Sequence, residues 1–132
     1  MDQINIFAVI VAAASSFLVG GLWYSAILFG AVWNRENGSA SKAGKGGHPA
    51  RVFGVSFLFS LIAAFAFACW LGPDASLQEG VTRGLLAGFG MVAASFGINY
   101  QFANRTPLLW LVDGGYHTVQ FVLFGVILGL WH

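Results

Sequence analysis

Four apolar runs, each about as long as a bilayer core requires or longer, leave this chain few ways to fold. They extend from about Ile4 to Trp33, Val52 to Leu71, Val81 to Phe102 and Leu108 to Trp131. A helix rising about 1.5 Å per residue needs roughly 20 apolar residues to cross the hydrocarbon layer. The runs lack the apolar–polar alternation that a transmembrane barrel strand needs. Of the 132 residues, 58% are hydrophobic and 8% charged, against about 25% charged in a soluble domain. So few charges cannot cover a water-facing surface. The expectation is one domain over residues 1–132, an all-α integral membrane four-helix bundle with antiparallel, up-down spans.

The first run is longer than one straight crossing needs. It fits either a tilted helix or one that bends into the interface, and Gly20-Gly21 is the expected place for a bend. The N-terminus, Met1-Asp2-Gln3, lacks the basic region of a secretory signal, so this run reads as a retained span. Residues 34–50, rich in Gly, Ser, Ala and Lys, read as a flexible polar loop. Gly72-Pro73-Asp74 and Asn104-Arg105-Thr106-Pro107 read as tight turns, with Pro107 placed to open the last helix.

Arg35, Lys42, Lys45, Arg51 and Arg105 fall in the first and third connections, and only Arg83 lies on the other side. The positive-inside rule then puts 34–50 and 103–107 in the cytoplasm and both termini outside. Trp33, Trp70, Trp110 and Trp131 fall near span ends, as an aromatic belt expects. Trp23 lies within the first run. It fits either a packing role or the lining of a site.

Small residues recur every four positions in three places: Gly80, Gly84 and Gly88; Gly125 and Gly129; Ala12, Ser16 and Gly20. Such stripes let helix backbones approach closely. They serve packing within one chain or between copies, and they are the motive for expecting a homo-oligomer.

The best functional lead is a polar stripe in the last run. Asp113, Tyr116, His117 and Gln120 share one helical face. Val112, Val119, Val122 and Leu123 lie opposite, as lipid contacts. A carboxylate at the centre of a span costs about 2.5–3.5 kcal/mol on insertion scales, so it is normally shielded, paired or used. At about 1.5 Å per residue, Asp113 lies about 9 Å inward from Pro107 and His117 about 15 Å. Ser95, Asn99 and Tyr100 reach similar depths on the third run, and Tyr24 and Ser25 do so on the first. This cluster fits a path for a proton, ion or small solute, a catalytic role, or a structural network in which Asp113 and His117 satisfy each other or Asn99.

Other chemistry finds less support. Asp113 and His117 supply two ligands where zinc takes three or four, so no metal or cofactor is expected. Cys69 is the only cysteine, which excludes an intrachain disulfide. Gly44-Lys45-Gly46-Gly47 lacks both the hydroxyl residue and the strand–helix setting of a phosphate loop. His48 and His132 read as exposed and incidental. No basic arm or acidic tail points to nucleic acid, and no recognisable nucleophile points to an enzyme.

Phe17–Gly30 (FLVGGLWYSAILFG) and Ile98–Trp131 (INYQFANR through LVDGGYHTVQFVLFGVILGLW) resemble domain-of-unknown-function family 1761, a group of small bacterial membrane proteins. The marks are Gly21, Trp23-Tyr24-Ser25, Phe29-Gly30, Asn99, Gly115-Tyr116-His117 and Gly129. The resemblance covers most of the chain outside 34–50. It implies a compact four-span helical protein and carries no established activity. The family pattern often has proline after Tyr-Ser, where this chain has Ala26, so a proline kink is not expected there.

These readings converge on a small multi-pass protein of the bacterial inner membrane, in contact with lipids. Its leading role is a channel- or transporter-like oligomer. The alternatives are a non-transporting scaffold or accessory subunit and a lipid-binding or lipid-modifying protein.

Overall fold

The computed structural model describes residues 4–37 and 49–131. Most of the 34–50 loop lies outside them, with the Gly44–Gly47 stretch, Lys42, Lys45 and His48, and so do Asp2 and His132. Among the described residues the structure is helical and has no strand: α1 is Ile6–Trp23, α2 Gly30–Asn37, α3 Pro49–Leu71, α4 Leu77–Leu85, α5 Ala94–Phe102 and α6 Pro107–Leu130. A π-helical stretch, Leu86–Ala93, joins α4 to α5 without a break. Four helices are long and apolar enough to cross a membrane: Ile6–Trp23, Ala50–Leu71, Leu77–Phe102 and Pro107–Leu130.

Local chemistry explains the helix starts. Asn5 caps α1, its side-chain oxygen accepting from the Ala8 N–H at 3.1 Å. Ser76 and Glu79 form a reciprocal capping box, which satisfies two orphan donors of the first turn. It starts α4 at Leu77, four residues ahead of the apolar run, because Gln78 and Glu79 are helical without being apolar. Thr106 caps α6 with Pro107 in its first turn, as the sequence suggests. At the end of α3, Gly72 takes φ +88°, the left-handed cap that glycine adopts without penalty. Arg83 donates to the Trp70 and Leu71 carbonyls at 3.1 Å each. This cation thus caps the negative end of a helix.

The first run is two helices, and its bend lies beyond Gly20-Gly21. Both glycines sit inside α1. The helix ends at Trp23, and the chain turns through Tyr24–Phe29 before α2 begins. Ser25 holds the turn: its hydroxyl donates to the Leu22 carbonyl at 2.6 Å, and its own carbonyl accepts from Gly30 N–H at 2.8 Å. A Cβ on Gly30 would stand 2.5 Å from the Tyr24 carbonyl oxygen, so only glycine closes this turn. The break therefore occurs without a proline at Ala26. Its consequence is that Asn34–Asn37 are helical rather than part of the loop.

The three small-residue stripes are used within the chain. Gly80 meets Gly125 backbone to backbone. A Cβ on Gly84 would stand 2.5 Å from the Phe121 carbonyl oxygen, one on Gly88 2.7 Å from Thr118 Cα, and one on Gly129 2.9 Å from Leu77 Cα. Ala12 and Ser16 are fully buried. Ser16 shares a 3.2 Å hydroxyl contact with Ser60 of α3, and Gly20 gives room to the Tyr116 ring. The motive these stripes supplied for an oligomer is thereby removed. Phe67, Phe121 and Phe124 fill the centre, with small residues of α1 and α3 around them. Val112, expected to face lipid, is buried, because Trp23 of α1 packs beside it.

Candidate functional site

Asp113 is the hub of the polar network. It is 8% exposed. Its Oδ1 accepts from the Tyr24 hydroxyl at 2.6 Å, and its Oδ2 accepts from the Tyr100 hydroxyl. Tyr24 belongs to the turn after α1 and Tyr100 to α5, so one carboxylate ties two separate elements to α6. Phenol–carboxylate bonds are charge-assisted and stronger than neutral ones. Among the described residues no cation forms an ion pair with Asp113. The carboxylate oxygens are engaged by these two hydroxyls.

Aromatic residues wall this hub. Trp23 Nε1 donates to the Val112 carbonyl at 2.9 Å, and its ring packs beside Gly115. Trp23 is therefore a packing anchor with a polar handle. Tyr116 donates to the Ser16 carbonyl at 3.1 Å, and its ring lies edge-on to Tyr24, centroids 5.6 Å apart. Trp110 turns inward, donating to the Ala93 carbonyl at 2.7 Å. That carbonyl closes the π-helical stretch, so an indole takes up an acceptor next to the irregular ladder.

His117 belongs to a second, smaller unit. Its Nδ1 is 2.7 Å from Gln120 Oε1, and its ring stacks on Phe96 with centroids 5.1 Å apart and planes within 15°. It makes no hydrogen bond to Asp113 or Asn99, so the structural alternative in which these residues satisfy one another does not occur. Ser95 and Asn99 are exposed and outside the network, while Ser25 serves its own turn. The sequence grouping thus divides. Asp113, Tyr24 and Tyr100 come together, Trp23 and Tyr116 flank them, and His117 pairs with Gln120.

The π-helical stretch explains why Ser95 and Asn99 are excluded. Regular helical spacing from Gly84 and Gly88 leads on to positions 92, 95 and 99. A π turn bonds i to i+5 and so accommodates one extra residue, which carries the inner face on by one position. The residues that meet α6 are then Ala93, Phe96, Gly97 and Tyr100. A Cβ on Gly97 would lie 3.3 Å from Trp110 Nε1. The parts that sequence reasoning missed are Phe96, the inward role of Trp110, and a clasp where Thr106 donates to Glu36 Oε1 at 2.6 Å. Glycines at 88 and 90 were the available hint of irregular helix.

The family model described as a protein of unknown function (DUF1761) matches residues 7–129. The chain belongs to this family. No curated protein and no solved structure matches it. The match spans the whole DUF1761 network, from Trp23 to Gln120. Among the described residues of this DUF1761 protein, no group of three His, Cys, Asp or Glu side chains stands ready to hold a metal ion. The chemistry on offer is hydrogen-bond donation from two tyrosine hydroxyls to a buried carboxyl group.

Proposed function

We propose that this DUF1761 protein is a channel- or transporter-like component of the bacterial inner membrane, handling a proton or small cation at Asp113. One observation carries the reading: a buried carboxylate, held by two tyrosine hydroxyls from different elements, with no counter-ion among the described residues. Such a charge in a span is kept where it has a use. The helices run antiparallel in this reading. Support comes from the pairing of Gly80, Gly84 and Gly88 with successively earlier residues of α6. The basic residues of the first and third connections favour those connections in the cytoplasm and both termini outside. A homo-oligomer completes the proposal, because a unit of four spans has little interior for a path, and no catalysis is assigned. In proteoliposomes, Asp113→Asn and the Tyr24→Phe/Tyr100→Phe pair should reduce proton or cation flux to the empty-liposome level. Flux equal to the unsubstituted protein in folded variants would overturn the reading.

A second reading, a non-transporting scaffold or accessory subunit, draws on the closure of the same network. Both carboxylate oxygens are engaged, and no buried side-chain nitrogen or oxygen among the described residues lacks a partner. On that reading Asp113→Asn lowers thermal stability, and no flux is measured with any variant.

A further inference from the structure

His117 carries an acceptor that the Asp113 network does not use. Its Nδ1 faces Gln120 Oε1 at 2.7 Å, and an amide oxygen only accepts. With Oε1 as the acceptor, Nδ1 is the protonated nitrogen and Nε2 of the neutral ring holds the lone pair. Phe96, stacked at 15°, fixes the ring plane. Nε2 has no hydrogen-bond partner among the described residues. No buried side-chain nitrogen there is unpartnered, so Nε2 keeps some accessible surface. Gln120 is itself buried at 6% exposure. The arrangement matches the general logic by which a hydrogen bond at one ring nitrogen sets the chemistry of the other.

We propose that His117 is a tautomer-fixed proton acceptor inside the membrane, with Nε2 as the receiving atom and Gln120 as its positioning residue. The inference names the proton as the species handled, and in that respect it rests on the transport reading. The step balances simply: Nε2 takes a proton from hydronium, which leaves as water, no bond to carbon changes, and the ring becomes an imidazolium that keeps its Nδ1–H···Oε1 bond. The ring accepts this charge one helical turn from the Asp113 carboxylate, which forms no ion pair among the described residues. The other titratable groups facing this region are few. Tyr116 is on the same helix, its ring centroid 4.9 Å from that of His117. Tyr24 comes from the turn after α1 and Tyr100 from α5. The π-helical stretch has none, Arg83 of α4 is engaged at the end of α3, and α3 carries no charged residue after Arg51. Arg105, in the turn before α6, is the nearest cation in sequence.

The test is nitrogen-15 magnetic resonance of histidine-labelled protein in lipid bilayers, with His48→Gln and His132→Gln making His117 the only histidine. The expected neutral-pH spectrum shows a protonated Nδ1 and a bare Nε2, with Nε2 gaining a proton as the pH falls. A neutral ring protonated at Nε2, or an Nε2 that stays bare as the medium is acidified, would overturn the proposal. Gln120→Leu should release the tautomer and populate the Nε2–H form; an unchanged spectrum would equally overturn it. Proton flux in proteoliposomes separates the two ideas. The spectrum decides the acceptor, and an unsubstituted protein with no flux above empty liposomes, beside the expected spectrum, defeats the transport reading alone.

Discussion

The two halves of α6 hold the bundle by different physics. Toward Pro107 the neighbours are aromatic and polar: Trp23, Tyr24 and Tyr100 reach in to donate to Val112 and Asp113. Toward Leu130 almost no side chain separates α6 from α4, and Gly80, Gly125 and Gly129 bring backbone against backbone. Lipid tails are as apolar as leucine, so association in a membrane cannot draw on burial from water. It must use close packing or interhelical hydrogen bonds. This helix divides the two means along its length. In the tight half α4 and α6 meet through glycine backbone, whereas in the other half aromatic rings and the Asp113 carboxylate lie at the contacts.

The comparison is broken most directly at the tight end. Gly125→Val places a side chain against the Gly80 carbonyl, and neither backbone can yield without separating α4 from α6. Overpacking typically costs about 1–3 kcal/mol, and here the top of that range is expected. Thermal unfolding in detergent would show it as loss of the folded form. Gly54→Ala is the internal control. Nothing lies within 4 Å of its Cβ position, so its transition should stay at or above that of the unsubstituted protein. Equal behaviour of the two variants would refute the contrast.

At the polar end the effects should be smaller and coupled. Hydrogen bonds to a charged group contribute about 1.5–3 kcal/mol. Asp113→Asn keeps one acceptor oxygen and turns an amide donor toward the other phenol, so a loss of about 2 kcal/mol is expected. Tyr24→Phe and Tyr100→Phe should each cost about 1 kcal/mol. Together they should cost more than their sum, because the second removal leaves the carboxylate bare. Strict additivity in a double-mutant cycle would show that the two hydroxyls do not share one acceptor.

How far this architecture was legible depends on which periodicity ruled each stretch. The four spans could be read because apolar length is a property of composition, insensitive to local geometry. Asp113, Tyr24 and Tyr100 were found together because depth along a helix follows from counting residues. Azimuth does not follow where the count changes. Ser95 and Asn99 share a regular helical face with Gly84 and Gly88, yet the π-helical stretch turns that face outward and brings Phe96 and Tyr100 inward. The bend after Trp23 was misplaced to Gly20-Gly21 for a related reason. Glycine signals both flexibility and close approach, and at Gly20 it is the Tyr116 ring that requires the missing Cβ.

This account of the π-helical stretch implies an unusual tolerance. Deleting exposed Met91 should convert Leu86–Ala93 to regular helix and leave Tyr100 facing Asp113, with only a small fall in melting temperature. Deleting Leu85 instead should disturb the glycine register with α6 and unfold the protein more readily. Circular dichroism melts of the two deletions would check the difference, and equal loss would mean that the extra residue does not set the azimuth of Tyr100.

The smallest effect belongs to the clasp outside the spans, where α2 meets the turn before α6. The Thr106 hydroxyl, and after it the Arg35 guanidinium, hold the Glu36 carboxyl below its ordinary value. A carboxyl depressed in the folded state adds stability that is present above its unfolded pKa and disappears as the pH falls through its folded pKa. Glu36→Gln should therefore melt slightly below the unsubstituted protein at neutral pH. The gap should close on acidification beneath the ordinary glutamate range of about 4.3. Thr106→Val should narrow the gap at neutral pH, since it removes the larger cause of the depression, although it also removes the cap of α6 and lowers both melts together. A gap that persists unchanged into acid would mean that Glu36 holds α2 by its shape rather than by its charge, and that neither end of α6 depends on this contact for its pH response.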